Sequence, residues 1–183
     1  SMGARNVKEV KRMSFLELAK RRYSVRSYSA QPVEEEKIQQ ILEAARIAPT
    51  AKNLQPQKIY ILKSPESIEK IRAITASAYN APLVFLICAD VNLSWRSPFD
   101  AEYESGEMDG SIAAAHMMLE AADLGLGSVW VKMFDAKKVS QAFGLPENIQ
   151  PVCLLPVGYA ADGSRPSERH EASRPLEEMV VTL

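Results

Sequence analysis

DGSIAAAHMMLEAADLGLGSVWV (Asp109–Val131) is the stretch whose reading decides the fold. Ile112, Ala113, Ala114, Ala115, Met117, Met118, Leu119, Ala121 and Ala122 occupy almost every face of a helix over Gly110–Leu124. A helix without a wet side belongs at the centre of a molecule or in a subunit interface. Asp109 is its expected N-cap, Gly125 and Gly127 its expected stop, and Ser128–Val131 a short strand. The glycines do not form a dinucleotide fingerprint, which needs a strand before them and a helix after; here the order is reversed. Interest falls instead just past the strand, where the backbone N–H groups of Lys132 and Met133 could face a ligand.

Upstream, Leu83–Ala89 (LVFLICA) is a continuous apolar run, as in a strand buried on both faces. Lys58–Lys63 reads as a second strand, with a helix from Ser64-Pro65-Glu66 to about Ala76 after it. Ile38, Ile41, Leu42, Ala45 and Ala48 recur at helical spacing over Glu34–Ala48, and Pro49 ends that helix. Ser14 and Glu17 form a capping box opening a helix over Phe15–Arg22, with Phe15, Leu18 and Ala19 on one face, and Tyr23–Ser29 is extended. Downstream lie a helix over Ala136–Phe143 and a strand over Val152–Gly158. The tail Ala160–Leu183 is polar and Arg-rich, turns apolar at Met179-Val180-Val181, and shows no packed element. A tail that long needs something to grip, and a second subunit is the natural candidate. Residues 92–108 form a long loop in which Trp95, Phe99 and Tyr103 suit a lid or a loop packed by its own aromatics.

A chain of 183 residues suits one domain with its own core, and 46% hydrophobic with 25% charged residues is ordinary for a soluble protein. A net charge of −1 gives no global attraction to nucleic acid or to an anionic membrane. No apolar run reaches the roughly 18 residues of a membrane span. Cys88 and Cys153 sit in apolar runs without zinc spacing, which fits a reduced, cytoplasmic setting. His116 lies in the apolar helix and reads as packed core or interface, His170 as a solvated tail residue, and no metal site is expected. Ser1-Met2-Gly3 reads as a cloning scar, and residues 4–13 are basic without the apolar segment of a signal peptide.

Two segments could carry chemistry. Arg21-Arg22-Tyr23-Ser24-Val25-Arg26 gathers guanidiniums and a hydroxyl at a helix C-terminus, where the dipole favours cations. Paired N–H groups of arginine suit a phosphate dianion, although taken alone the cluster better describes a solvated basic helix end. In Ala48-Pro49-Thr50-Ala51-Lys52-Asn53-Leu54-Gln55-Pro56-Gln57, the Asn53 and Gln55 amides offer the donors and acceptors a uracil-like ring edge requires. An ordinary helix-to-strand loop has the same composition. Arg165, Arg169 and Arg174 in the tail by themselves describe a solvated charged segment.

Together these segments resemble the nitroreductase family, in its small, single-domain, FMN-dependent form. The resemblance is carried by Arg22–Tyr28, by Ile41–Ala45 through Asn53–Pro56, by Ala81-Pro82 before a buried strand, by Asp109–Trp130, and by Pro156–Tyr159 with Arg174–Glu178. It implies an α+β fold with a mainly antiparallel central sheet flanked by helices, in an intertwined homodimer with FMN in clefts between subunits. Residues 1–13 would be tag remnant and extension, and 14–183 the FMN-binding domain. Carried over, Arg22 and Ser24 would hold the FMN phosphate, completed by Arg174, and Tyr23 between them would be a cofactor-binding residue. Arg26 would sit near N1 and the C2 carbonyl. Pro49, Thr50, Asn53 and Gln55 would reach the flavin from the partner chain, and the backbone of Val131, Lys132 and Met133 would line N5 and O4. Three positions depart from the family pattern. Gln57 replaces an aromatic, Thr50-Ala51-Lys52 replaces a run of small residues, and only Ser77, Tyr79 and Asn80 stand near the family's Asn/Lys pair.

The resemblance further implies an enzyme in which NADH or NADPH passes hydride to the flavin, and a small-molecule electron acceptor (nitroaromatic, quinone or similar) then enters the same pocket, in ping-pong order. Arg26 would stabilise charge near N1. No protein nucleophile or acid–base dyad is required, and the sequence offers none. A relative with other flavin chemistry (dehalogenation, flavin fragmentation) and a non-catalytic flavin-binding protein remain alternatives.

Overall fold

The computed structural model describes residues 12–183; the expected scar and most of the N-terminal extension lie outside the described residues. Helices α1 (Phe15–Arg21) and α2 (Glu35–Ile47) come first, then β1 (Gln57–Leu62), α3 (Pro65–Ile74), β2 (Leu83–Asp90), α4 (Gly106–Asp123), β3 (Gly127–Ser128), α5 (Ala136–Ala142) and β4 (Ile149–Gly158). The sheet is antiparallel throughout, in the order β1-β2-β4-β3. The fold is therefore α+β with a central antiparallel sheet.

The continuous apolar run takes the place its composition requires. Every residue of β2 except Asp90 is buried, because helices cover both faces. Leu83, Phe85, Ile87 and Ala89 pack with α2 and α4 on one face, while Val84, Leu86 and Cys88 pack with α3 and α5 on the other. Cys88 and Cys153 thus stand on opposite faces and are free thiols.

Local signals explain most boundaries. The Ser14 hydroxyl accepts from the Glu17 N–H at 3.2 Å and the Glu17 carboxylate accepts from the Ser14 N–H at 2.8 Å, so both halves of the capping box are present. Ser64 caps α3 ahead of Pro65, and Asp135 caps α5 by accepting from the N–H groups of Lys137 and Lys138.

Helix α4 differs from the sequence expectation at its start. It begins one turn earlier, after Ser105, and Asp109 lies inside it, 2% exposed. Asp109 instead accepts from the Ser105 hydroxyl at 2.6 Å and from the Ala51 N–H at 3.0 Å. The helix is central on one side only. Ala113, Ala114, Met117 and Ala121 are fully buried, whereas Met108 and Ile112 are exposed. At its C-terminus Gly125 takes a φ of +79°, and the Lys37 ammonium donates to the Leu124 carbonyl at 3.2 Å and to the Tyr159 hydroxyl at 2.7 Å. Gly127 has a different reason to be glycine: a Cβ there would stand 2.6 Å from a Val25 methyl.

That close approach docks the basic segment on the sheet. Ser24 bridges Ser128 in parallel, the Val25 N–H donates to the Ser128 carbonyl at 2.9 Å, and Tyr28 bridges Ala160. The Tyr28 hydroxyl donates to the Val25 carbonyl at 2.6 Å, and burial raises its pKa well above the usual phenol value, keeping it a neutral donor. The expected strand Ser128–Val131 is only a two-residue ladder followed by an isolated Val131–Leu154 bridge. The tail carries short 3-10 turns at Glu168–His170 and Leu176–Glu178, and it lies exposed apart from half-buried residues such as His170. His170 is not simply solvated. Its Nε2 lies 3.0 Å from the Lys20 carbonyl, closing the end of α1.

Candidate functional site

The extended segment 22–27 presents Arg26 to two clefts that meet at its side chain. One, of about 400 Å³, is lined by Arg26, Arg72, Thr75, Ala76, Tyr79 and Asn80. The other is lined by Ser24, Arg26, Ser27 and the turn Asp162–Arg165. Each is within the size range of small-ligand clefts. Among the described residues no carboxylate hydrogen-bonds or ion-pairs with Arg26 or Arg72, and no acidic side chain lines the first cleft. Two unneutralised guanidiniums beside the Asn80 amide make a donor-rich surface for an anionic or carbonyl-bearing ligand.

Arg22 and Tyr23 turn elsewhere. They line a third cleft with Arg21, Gly125, Gly127 and Ser128, whose buried hydroxyl has no hydrogen-bond partner. The Tyr23 hydroxyl is 3.0 Å from that of Ser164, which ties the basic segment to the turn carrying Arg165. Arg174 is not brought to these residues within the chain. It sits on the exposed tail and pairs with the Glu178 carboxylate at 3.3 Å.

The loop after α2 is rigid for its length. Lys52, Asn53 and Gln55 all have φ between +52° and +54°, a left-handed conformation that costs energy without a glycine. The Thr50 hydroxyl accepts from the Gln55 N–H at 3.0 Å, and the Gln55 amide donates to the Asn53 side-chain oxygen at 3.1 Å. Pro49, Asn53 and Gln55 are exposed and Thr50 half-exposed. None of them lines the Arg26 clefts of the same chain.

Beyond β3, Val131 exchanges both backbone hydrogen bonds with Leu154, each at 2.9 Å, so its N–H is spent on the sheet. The N–H groups of Lys132 and Met133 have no hydrogen-bond partner among the described residues. The Met133 carbonyl accepts from the Thr75 hydroxyl at 2.7 Å, which joins this segment to the Arg26 cleft. The Lys132 ammonium donates to the Val152 carbonyl at 2.7 Å and pairs with Glu107 at 3.0 Å. Burial pushes the nearby Cys153 thiol up to about 12, with Lys132 opposing.

Sequence reasoning passed over Arg72, Thr75 and Arg165 as site residues. Arg72 stands in the last turn of α3, where the helix dipole favours a cation, and Thr75 caps the following turn by accepting from the Ser77 N–H at 3.1 Å. Those positions were signals. Of the three residues weighed for the family's Asn/Lys pair, Tyr79 and Asn80 do line the Arg26 cleft, both with positive φ, and Ser77 does not.

The family model for the nitroreductase family matches residues 19–80 and 75–159. A protein of Methanothermobacter thermautotrophicus, carried under the provisional name NADH dehydrogenase/NAD(P)H nitroreductase, is 32% identical over 161 residues, spanning 84% of this chain and 81% of its own. A nitroreductase family protein of Clostridium difficile 630 superposes with a TM-score of 0.87 at 43% identity, over 93% of this chain and all of its own. A solved FMN-dependent nitroreductase of Clostridium difficile R20291 has 29% identity and a TM-score of 0.65, over 79% of this chain and 87% of its own. The chain belongs to the nitroreductase family, whose members carry the names of oxidoreductases. No helix among the described residues is long and apolar enough to cross a membrane.

Proposed function

We propose that this chain is a cytoplasmic, FMN-dependent NAD(P)H oxidoreductase. It works as a homodimer, with residues 14–183 as the FMN-binding domain. The acceptors are nitroaromatics, quinones or similar small molecules, reduced in ping-pong order. The observation that carries this reading is the cleft in which Arg26 and Arg72 stand without a carboxylate. Thr75 links it to the unpartnered N–H groups of Lys132 and Met133. That donor set fits a flavin, which offers carbonyl and ring-nitrogen acceptors along one edge and a phosphate at the far end.

FMN, when bound, supplies the centre that accepts hydride from NAD(P)H and passes it on. The protein's part is position and field. Arg26, with Arg72 beside it, holds negative charge near N1 and the C2 carbonyl. Lys132 and Met133 donate main-chain hydrogen bonds toward N5 and O4, and Val131 fixes their register. Arg22 and Ser24, with Tyr23 and Arg165 nearby, attract the phosphate. Arg174 completes that site, and Pro49, Thr50, Asn53 and Gln55 reach the flavin of the opposite subunit. Dimerisation is supported by apolar surface that a lone chain leaves bare: Phe15 and Leu16 on α1, Met108 and Ile112 on α4, Met179 and Val181 on the tail.

The test is direct. Purified protein should show a yellow flavin spectrum that bleaches on anaerobic addition of NADH or NADPH. Flavin that stays oxidised would reject the reductase, and full FMN retention by Arg22→Ala/Arg174→Ala would reject the phosphate assignment.

A further inference from the structure

The chain leaves the sheet at Val131, and the next residues are held by little. The Phe134 N–H closes a tight turn on the Lys132 carbonyl at 2.9 Å, and among the described residues no other main-chain bond fixes Met133. The anchor is a side chain from another part of the sequence. Thr75, 8% exposed, donates its hydroxyl proton to the Met133 carbonyl at 2.7 Å. Its orientation is forced, because a hydroxyl has a single proton. The Thr75 oxygen accepts from the Ser77 N–H at 3.1 Å, and its one proton goes to the Met133 carbonyl, which can only accept. The same threonine lines the cleft with Arg26 and Arg72.

We propose that Thr75 is a positioning residue: its hydroxyl clamps the Met133 peptide so that the N–H groups of Lys132 and Met133 stay aimed at the flavin N5 edge, in register with the arginines across the cleft. This rests on the functional reading above. It has a consequence that simple packing does not. Oxidised N5 accepts a hydrogen bond from a main-chain N–H, whereas reduced N5 carries its own hydrogen and is a much poorer acceptor; the O4 carbonyl accepts in both states. Loss of the clamp therefore weakens oxidised FMN more than reduced FMN.

The experiment compares wild type, Thr75→Val and Thr75→Ser. The dissociation constant of oxidised FMN is measured by fluorescence titration of the apoprotein. That of reduced FMN follows from the midpoint potential of the bound flavin. Thr75→Val keeps the side-chain shape without the donor. It should bind oxidised FMN about threefold to tenfold more weakly, the range one neutral hydrogen bond supports, with reduced FMN little changed. Thr75→Ser, which keeps the hydroxyl, should restore the wild-type ratio. Equal losses in both redox states, or no loss in either, would overturn the proposal. Should Thr75→Val fail to fold, Thr75→Cys, a near-isostere with a weak donor, is held to the same criterion. Wild-type protein that binds no FMN would overturn the functional reading and the clamp together; wild-type binding with an indifferent Thr75→Val overturns the clamp alone.

Discussion

The Asp109 carboxylate, inside the central helix, accepts a hydrogen bond at 3.0 Å from the N–H of Ala51, 58 positions away in the chain. With the Ser105 hydroxyl at 2.6 Å on its other oxygen, it fixes the strained loop that carries Thr50, Asn53 and Gln55 to the core of the molecule.

Asp109→Ala leaves the Ala51 N–H and the Ser105 hydroxyl without an acceptor. Hydrogen bonds to a charged group are worth about 1.5–3 kcal/mol each, so loss of the two is expected to cost about 3–6 kcal/mol. Guanidinium denaturation reads this directly. A midpoint equal to wild type would show that the loop is held by other means.

Gly127→Ala should destabilise by about 1–3 kcal/mol, because its methyl would stand 2.6–2.9 Å from three carbons of Val25. The clash is with a side chain, so Val25→Ala in the same chain should restore part of the loss. Strict additivity of the two changes in thermal unfolding would contradict the contact.

Replacing either free guanidinium, as Arg26→Gln or Arg72→Gln, should slow flavin reduction by NAD(P)H about tenfold to a hundredfold, since each supplies fixed positive charge where negative charge develops. Stopped-flow absorbance gives the rate. An unchanged rate in both variants would remove the electrostatic role assigned to the cleft.

Burial pushes the Cys88 and Cys153 thiols from their ordinary 9.0 up to about 12. Between those values the unfolded chain has lost thiol protons that the folded chain keeps. Stability should therefore fall as pH rises above about 9, more steeply in wild type than in Cys88→Ala/Cys153→Ala. Tm measured from pH 8 to 11 checks the sign, and identical slopes in the two proteins would refute it.

Much of this was legible along the chain. The capping box at Ser14 and the buried strand at Leu83 depend on neighbours a few residues away and formed as read, and the apolar helix before Gly125 formed with a start one turn earlier. Asp109 was misread because a helix start and a buried clamp use the same carboxylate, and only the position of Ala51 distinguishes them. Gly127 was misassigned as part of the helix stop for the same reason: Val25 is remote in sequence. Arg72 and Thr75 escaped because their local signals, a cation in the last helical turn and a cap on the next turn, do not say that they face the cleft of Arg26.

What the sequence determined alone was the set of elements and the residue types that suit a flavin, since periodicity, capping and charge act over a turn or two of chain; the antiparallel α+β frame came only from the family resemblance. Tertiary structure alone decided which of those residues share a cleft. Arg26, Arg72 and Thr75 meet, and Thr75 reaches Met133, because strand pairing brings segments dozens of residues apart within hydrogen-bond distance, and short-range patterns carry no record of that geometry.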